Sequence, residues 1–169
     1  AEASNGSFSI TSSVLSDGTY SLTATATDLA GNVSLSSSAL EITIDTLRPA
    51  APISLTNTSA TNVNTPIITG TAEAGSTVKL YEGSNLLGTA EASNGSFSIT
   101  SSVLSDGAHS LTATATDSAT NTSAASNALS ITIDTTAPAA PSSLANSSPT
   151  NDNTPTITGT AEVGSTVKL

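Results

Sequence analysis

Apolar and polar residues alternate with a period of two along much of this chain, and no stretch keeps the 3.6-residue spacing of an amphipathic helix. In Ser110-Leu111-Thr112-Ala113-Thr114-Ala115-Thr116-Asp117 the Leu and Ala side chains fall on one side and the threonines on the other. That alternation predicts a half-buried antiparallel strand. Further strands are predicted at Ile53–Thr56, Pro66–Glu73, Thr77–Tyr81, Leu86–Ala92, Ser96–Thr100 and Ala124–Ile133. Turn sequences separate them: Ala74-Gly75-Ser76, Glu82-Gly83-Ser84-Asn85, Ser93-Asn94-Gly95 and Ser105-Asp106-Gly107. Seven short strands within about 90 residues predict an all-β, immunoglobulin-like sandwich with almost no helix.

The pattern then repeats itself. Residues 1–80 align without a gap on residues 90–169, an offset of 89, and 62 of the 80 pairs are identical. The chain is therefore expected to be a tandem array with a period of 89 residues rather than one domain. Natural boundaries are the proline-rich stretches Leu47-Arg48-Pro49-Ala50-Ala51-Pro52 and Thr136-Ala137-Pro138-Ala139-Ala140-Pro141, since proline cannot donate to a ladder and stiffens a connection. We expect the C-terminal part of one module at 1–46, a complete module at 47–135, and the N-terminal part of the next at 136–169. Neither part can build a complete core alone.

Composition narrows the chemistry. With 3 Lys plus Arg against 13 Asp plus Glu the net charge is −10, so no basic stripe exists to engage phosphates and nucleic acid is not an expected partner. The absence of Cys removes disulfides, thiolate metal sites and cysteine nucleophiles. No apolar run approaches the ~20 residues that span a bilayer, so membrane insertion is not expected. The single histidine, His109, stands where Tyr20 stands one period earlier; a catalytic base would not survive that exchange, and an exposed strand position is expected. Serine is abundant, but there is no G-x-S-x-G and no histidine placed to activate it. No enzymatic activity is expected. Threonine rows such as Thr112, Thr114 and Thr116 read as ordinary wet strand faces, and Glu2, Glu82 and Glu91 as solubilising positions.

The strings TPxITGTAExGSTVKL, NGSFSIT, SLTATATD and ITIDTxxPAAP resemble the bacterial Ig-like repeats of giant secreted surface adhesins, including biofilm-associated and type I-secreted proteins. The likeness runs over the whole chain, with two departures. Phe8 and Phe97 stand where the family often has Trp, and the loop Asp117-Ser118-Ala119-Thr120-Asn121 lacks the Gly of the family's D-x-x-G-N, which Asp28-Leu29-Ala30-Gly31-Asn32 keeps. The resemblance implies a cell-adhesion role at the bacterial surface or in secreted form: a structural extender that holds a distal binding domain away from the cell and supports biofilm or host attachment. Its partners would be neighbouring modules of the same chain, with host or matrix ligands engaged by other domains. The alternatives are a module that itself binds glycan or protein, and a linker array of a secreted polysaccharide-active enzyme.

Such repeats commonly carry calcium between modules, and sandwich topology sends certain acidic positions to the pole where the linker enters. For the complete module these are Asp45 on the incoming linker, Glu73, and Asp117 with Asn121. Asp134 and Glu162 recur at the next junction, and Asp28 with Asn32 at the preceding one. Oxygen-bearing side chains from separate segments suit a hard cation taking 6–8 oxygen ligands, and like charges gathered there would repel without one. Asp17 and Asp106, at the opposite pole, read as tight-turn residues with a ligand role as the alternative.

Overall fold

The computed structural model describes residues 1–146 and 148–169 and has eleven β-strands, with no helix among the described residues. They are β1 (Gly18–Leu22), β2 (Leu40–Ile44), β3 (Ile53–Asn57), β4 (Ile67–Thr71), β5 (Thr77–Glu82), β6 (Asn85–Glu91), β7 (Ser96–Thr100), β8 (Gly107–Thr116), β9 (Leu129–Ile133), β10 (Ser142–Ala145) and β11 (Thr158–Thr160). The seven central strands form the sandwich, a three-stranded sheet in the order β3-β4-β7 facing a four-stranded sheet in the order β6-β5-β8-β9. Every pairing is antiparallel.

The alternation along each strand decides what fills the space between the sheets. Val78 and Leu80 on β5, Leu111, Ala113 and Ala115 on β8, and Ile131 and Ile133 on β9 turn inward. They meet Ile68 from β4 and Phe97 and Ile99 from β7. With small alanines on one sheet, the single aromatic ring must occupy a disproportionate share of the layer. Gly70 makes room for it: it pairs with Phe97, and a Cβ there would sit 2.6 Å from the Phe97 ring. The chain crosses from β6 in one sheet to β7 in the other through a tight turn closed by the Ser93–Ser96 bridge, with Asn94 (φ 50°) and Gly95 (φ 83°) supplying the two positive φ values of a type I′ turn, which is why Asn-Gly occupies it.

Flanking segments repeat pieces of this sandwich in the same register. β1 pairs with β2 (Gly18↔Ile44, Leu22↔Leu40) as β8 pairs with β9 (Gly107↔Ile133, Leu111↔Leu129). β10 pairs with β11 (Ser142↔Thr160) as β3 pairs with β4 (Ile53↔Thr71), and both first strands bulge at a serine with positive φ, Ser143 and Ser54. Without the opposing strands, apolar faces that are buried centrally lie open. Phe8 is 62% exposed where Phe97 is 4% exposed.

One predicted strand is shorter than its pattern. Only Leu129–Ile133 of the expected Ala124–Ile133 pairs as a strand, because the preceding residues exchange the backbone ladder for serine side chains. Ser126 N–H donates to the Ala113 carbonyl (2.8 Å), and its Oγ accepts from Ala113 N–H (3.0 Å) while donating to the Asn127 carbonyl (2.8 Å). Ser123 treats Ala115 the same way, at 2.9 Å and 2.9 Å, and donates to the Ala124 carbonyl at 2.7 Å. Both alanines are fully buried, so their N–H groups would otherwise lack a partner. Ser34 with Ala26 and Ser37 with Ala24 repeat the arrangement 89 residues earlier.

Candidate functional site: the junction between repeats

Two aspartates grip each outgoing linker. Asp106, just before β8, accepts at Oδ1 from Thr135 N–H (3.1 Å) and Thr135 Oγ1 (2.8 Å), and at Oδ2 from Thr136 Oγ1 (3.0 Å). Asp134 closes a local turn by accepting from Thr136 N–H (3.1 Å). One period earlier Asp17 holds Thr46 N–H (3.1 Å) and Oγ1 (2.9 Å), and Asp45 holds Leu47 N–H (3.0 Å). These donors draw the Asp106 carboxyl below its ordinary pKa, the Thr135 hydroxyl first, then Thr135 N–H, against an opposing push from burial, with Thr136 adding to the fall. Asp17 and Asp106 are thus more than turn residues: each ties the end of its own repeat to the start of the linker. Sequence reasoning could have found this from the joint recurrence of Asp-Gly and Ile-Asp-Thr.

Downstream, the linker is seated on the next repeat. Pro49 and Pro52 are buried, whereas the matching Pro138 and Pro141 are exposed. The loop Asp117–Asn121 meets the linker here. Asn121 Nδ2 donates to the Asp45 backbone carbonyl (3.0 Å) and to Asp117 Oδ2 (2.9 Å), while Asp117 Oδ1 accepts Asn121 N–H (2.9 Å). Burial pushes the Asp117 carboxyl upward, but the Asn121 side chain and backbone, with Ala119 and Thr120, outweigh it and leave the pKa lowered. In the first repeat Asp28 Oδ1 accepts Ala30 N–H (2.9 Å) and Asn32 N–H (2.8 Å), and Oδ2 accepts Asn32 Nδ2 (2.8 Å). The Asn32 side chain dominates the lowering of that carboxyl's pKa. Thr120 takes φ 72° where Gly31 takes φ 89°, so the loop keeps its shape without the glycine and holds a β-branched residue in a left-handed conformation.

Of the expected ligand set, then, the structure brings Asp45, Asp117 and Asn121 together, with Asp45 reaching Asn121 through its main-chain oxygen and turning its carboxylate to Leu47. Glu73 and Glu162 contribute their carbonyls to the turns at Ser76 and Ser165. Among the described residues no three Asp, Glu or His side chains are grouped as a metal site. Two oxygens from separate segments, the Asp45 carbonyl and Asp117 Oδ2, share the one Asn121 amide nitrogen as their donor.

His109 corrects the expectation of an exposed position. Its side chain is 8% exposed, and its ring lies between Glu82 Oε1 (Nδ1, 2.8 Å) and the Ser105 carbonyl (Nε2, 2.8 Å). Glu82 is accordingly a partner of the ring as well as a solvated group. Both side chains continue the inward-facing stripes of β5 and β8 to the sandwich edge, so the alternation itself places them inside.

A hollow of about 1180 Å³ lies against residues 1–37 and is lined by Phe8, Ile10, Ala24 and Ala26, the counterparts of core residues Phe97, Ile99, Ala113 and Ala115. No helix among the described residues is long and apolar enough to cross a membrane.

A family model for the bacterial Ig-like domain matches residues 1–46 and 54–135. A solved structure described as "Biofilm associated protein - BSP domain" is similar over 73% of this chain and 20% of its own, with 24% identity and a TM-score of 0.42, so this chain spans a fifth of that one. No curated protein sequence matches. The family match covers most of the chain, and the antiparallel sandwich agrees with it: the chain belongs to the bacterial Ig-like domain family, a structural, non-enzymatic type of domain.

Proposed function

We propose that this chain is a stretch of an extracellular extender, an array of Ig-like modules of about 89 residues (1–46, 47–135 and 136–169) that carries a distal adhesive domain away from a bacterial surface. The observation that carries this reading is the recurrence of the linker clasp, Asp17 on Thr46 and Asp106 on Thr135, at the repeat spacing. A spacer needs each unit to fix the direction in which the next one leaves, and a carboxylate holding the last residue before the linker does that. Neighbouring modules are its partners within the chain, and contacts with host or matrix belong to other domains.

Calcium at the junction completes the proposal. The Asp117 carboxylate, the Asp45 carbonyl and the Asn121 carboxamide would hold it, with Glu73 and water filling the remaining positions. Asp134 with Glu162, and Asp28 with Asn32, are the equivalent groups at the neighbouring junctions. The ion would supply positive charge to a pole of the −10 chain where Asp45 and Asp117 lie close to the linker. Thermal melts of the chain in calcium, in magnesium and in chelator test this. Melting raised by calcium alone supports a dedicated site, and three superimposable curves would remove calcium from the account while leaving the clasp intact.

A further inference from the structure

Tyr20 and His109 occupy the same repeat position, at the start of β1 and of β8, and both reach back to the carbonyl four residues earlier. Tyr20 Oη donates to the Ser16 carbonyl at 2.9 Å, in the manner of the tyrosine corner of Ig-like sandwiches, and His109 Nε2 lies 2.8 Å from the Ser105 carbonyl. The imidazole therefore substitutes for the phenol at the same acceptor. It also does something the phenol does not, because its second nitrogen, Nδ1, lies 2.8 Å from Glu82 Oε1 on β5.

Those two contacts are compatible with one protonation state. A neutral imidazole has one N–H and one lone pair, whereas both atoms facing the ring are oxygen acceptors. Only the imidazolium donates to both. In the neutral form one nitrogen lone pair must face a carboxylate or a carbonyl oxygen, and at 8% exposure water cannot easily intervene. The surroundings add no competing charge. On β9 the residue opposite His109 is Ile131, on β6 the residue opposite Glu82 is Asn85, and in the adjoining loop Asp106 has its oxygens engaged by Thr135 and Thr136.

We propose that the Ser105–His109–Glu82 corner is a proton-operated latch, closed by the imidazolium and loosened when it deprotonates, which makes the repeat carrying His109 pH-responsive and leaves the repeat carrying Tyr20 indifferent to pH. The Ser105 carbonyl first, and Glu82 second, raise the His109 pKa against the opposing effect of burial. The sign follows: a folded pKa above the unfolded value gives stabilisation that is complete below about 6.5 and disappears as pH rises through the folded value. The latch ties the loop before β8, which also contains the Asp106 clasp, to the centre of the four-stranded sheet, so loosening it frees the element that holds the outgoing linker.

The test compares the full chain with His109→Tyr, the exchange that the neighbouring repeat already contains. Urea unfolding is measured between pH 5.5 and 8.5, above carboxylate titration. The wild-type unfolding constant is expected to rise several-fold across that interval while His109→Tyr stays flat, with Glu82→Gln intermediate. Equal pH dependence in wild type and His109→Tyr would overturn the proposal. Nitrogen NMR of the His109 ring decides independently of variant folding: both nitrogens are expected to be protonated at pH 5.5 and one to lose its proton with a midpoint above the ordinary histidine value of about 6.5, and a midpoint at or below that value would overturn the latch.

Discussion

Replacing Ser126 by Ala isolates the device that takes over where the β8–β9 ladder stops. The hydroxyl accepts the Ala113 N–H at 3.0 Å, and Ala113 is fully buried between the sheets. Alanine fills nearly the same volume, so packing changes little, but the N–H is left without an acceptor. An unsatisfied buried donor costs about 1–3 kcal/mol. The released Asn127 carbonyl adds little, because Asn127 is exposed and water can reach it. Ser123→Ala removes the matching acceptor from Ala115 and is expected to cost a similar amount. Together they should lose about 2–6 kcal/mol, less any coupling between adjacent sites. That is a large part of the 5–15 kcal/mol typical of a domain. Ser130→Ala on the exposed side of β9 is the control, expected within about 0.5 kcal/mol of wild type. Urea denaturation followed by circular dichroism, with an unchanged slope, measures wild type and all four variants. If Ser126→Ala unfolds at the same urea concentration as Ser130→Ala, the hydroxyl is not the acceptor on which Ala113 depends, and the account of the shortened strand fails.

Three other substitutions probe particular contacts. Thr120→Gly should raise stability by up to about 1.5 kcal/mol, since it relieves left-handed strain of about 1–2 kcal/mol at the cost of glycine's extra freedom when unfolded; an unchanged or lower unfolding midpoint refutes the strain. Gly70→Ala should cost about 1–3 kcal/mol, because its Cβ would press on the Phe97 ring at 2.6 Å and on the Ile53 carbonyl at 3.0 Å, and an unchanged midpoint would show that the ring has room to move. For Asp106→Ala, nitrogen relaxation should show Thr135 and Thr136 gaining motion while the β8 core stays rigid. In wild type the clasp is present above the unfolded carboxyl pKa of about 3.8 and is lost only as pH falls through the lower folded value. Equal order in both proteins at pH 6 refutes the clasp.

Much of the fold could be read from the alternation because its signals are local and repeated. Apolar and polar positions trade places every second residue, turns announce themselves with Asn-Gly and Asp-Gly, and an 89-residue offset reproduces the pairing registers of β1–β2 and β8–β9. The errors arose where a polar side chain does the work of a backbone group or a core position. Ser126 reads as a strand residue and Ser123 as one just outside the strand, but their hydroxyls stand in for ladder acceptors, which no hydrophobic period reveals. The exchange with Tyr20 suggested exposure for His109, yet it lies on the inward stripe of β8, and pairing with the partly solvated Glu82 permits that placement. At the junction, topology brought Asp45, Asp117 and Asn121 to one place, but chemistry alone could not assign the Asp45 contact to its carbonyl rather than its carboxylate.

The junction is also where the functional account is most exposed to test. The chain has no cysteine, so spin labels can be placed cleanly at Thr43→Cys on β2 and Ser98→Cys on β7, one on each side of the linker. Electron–electron dipolar spectroscopy then reads the spread of distances across the joint. A clasped, calcium-tightened spacer predicts one narrow distribution in calcium that broadens on chelation and broadens further in Asn121→Ala. A wide distribution that is the same in calcium, in chelator and in Asn121→Ala would contradict the claim that these repeats are held in a fixed relation.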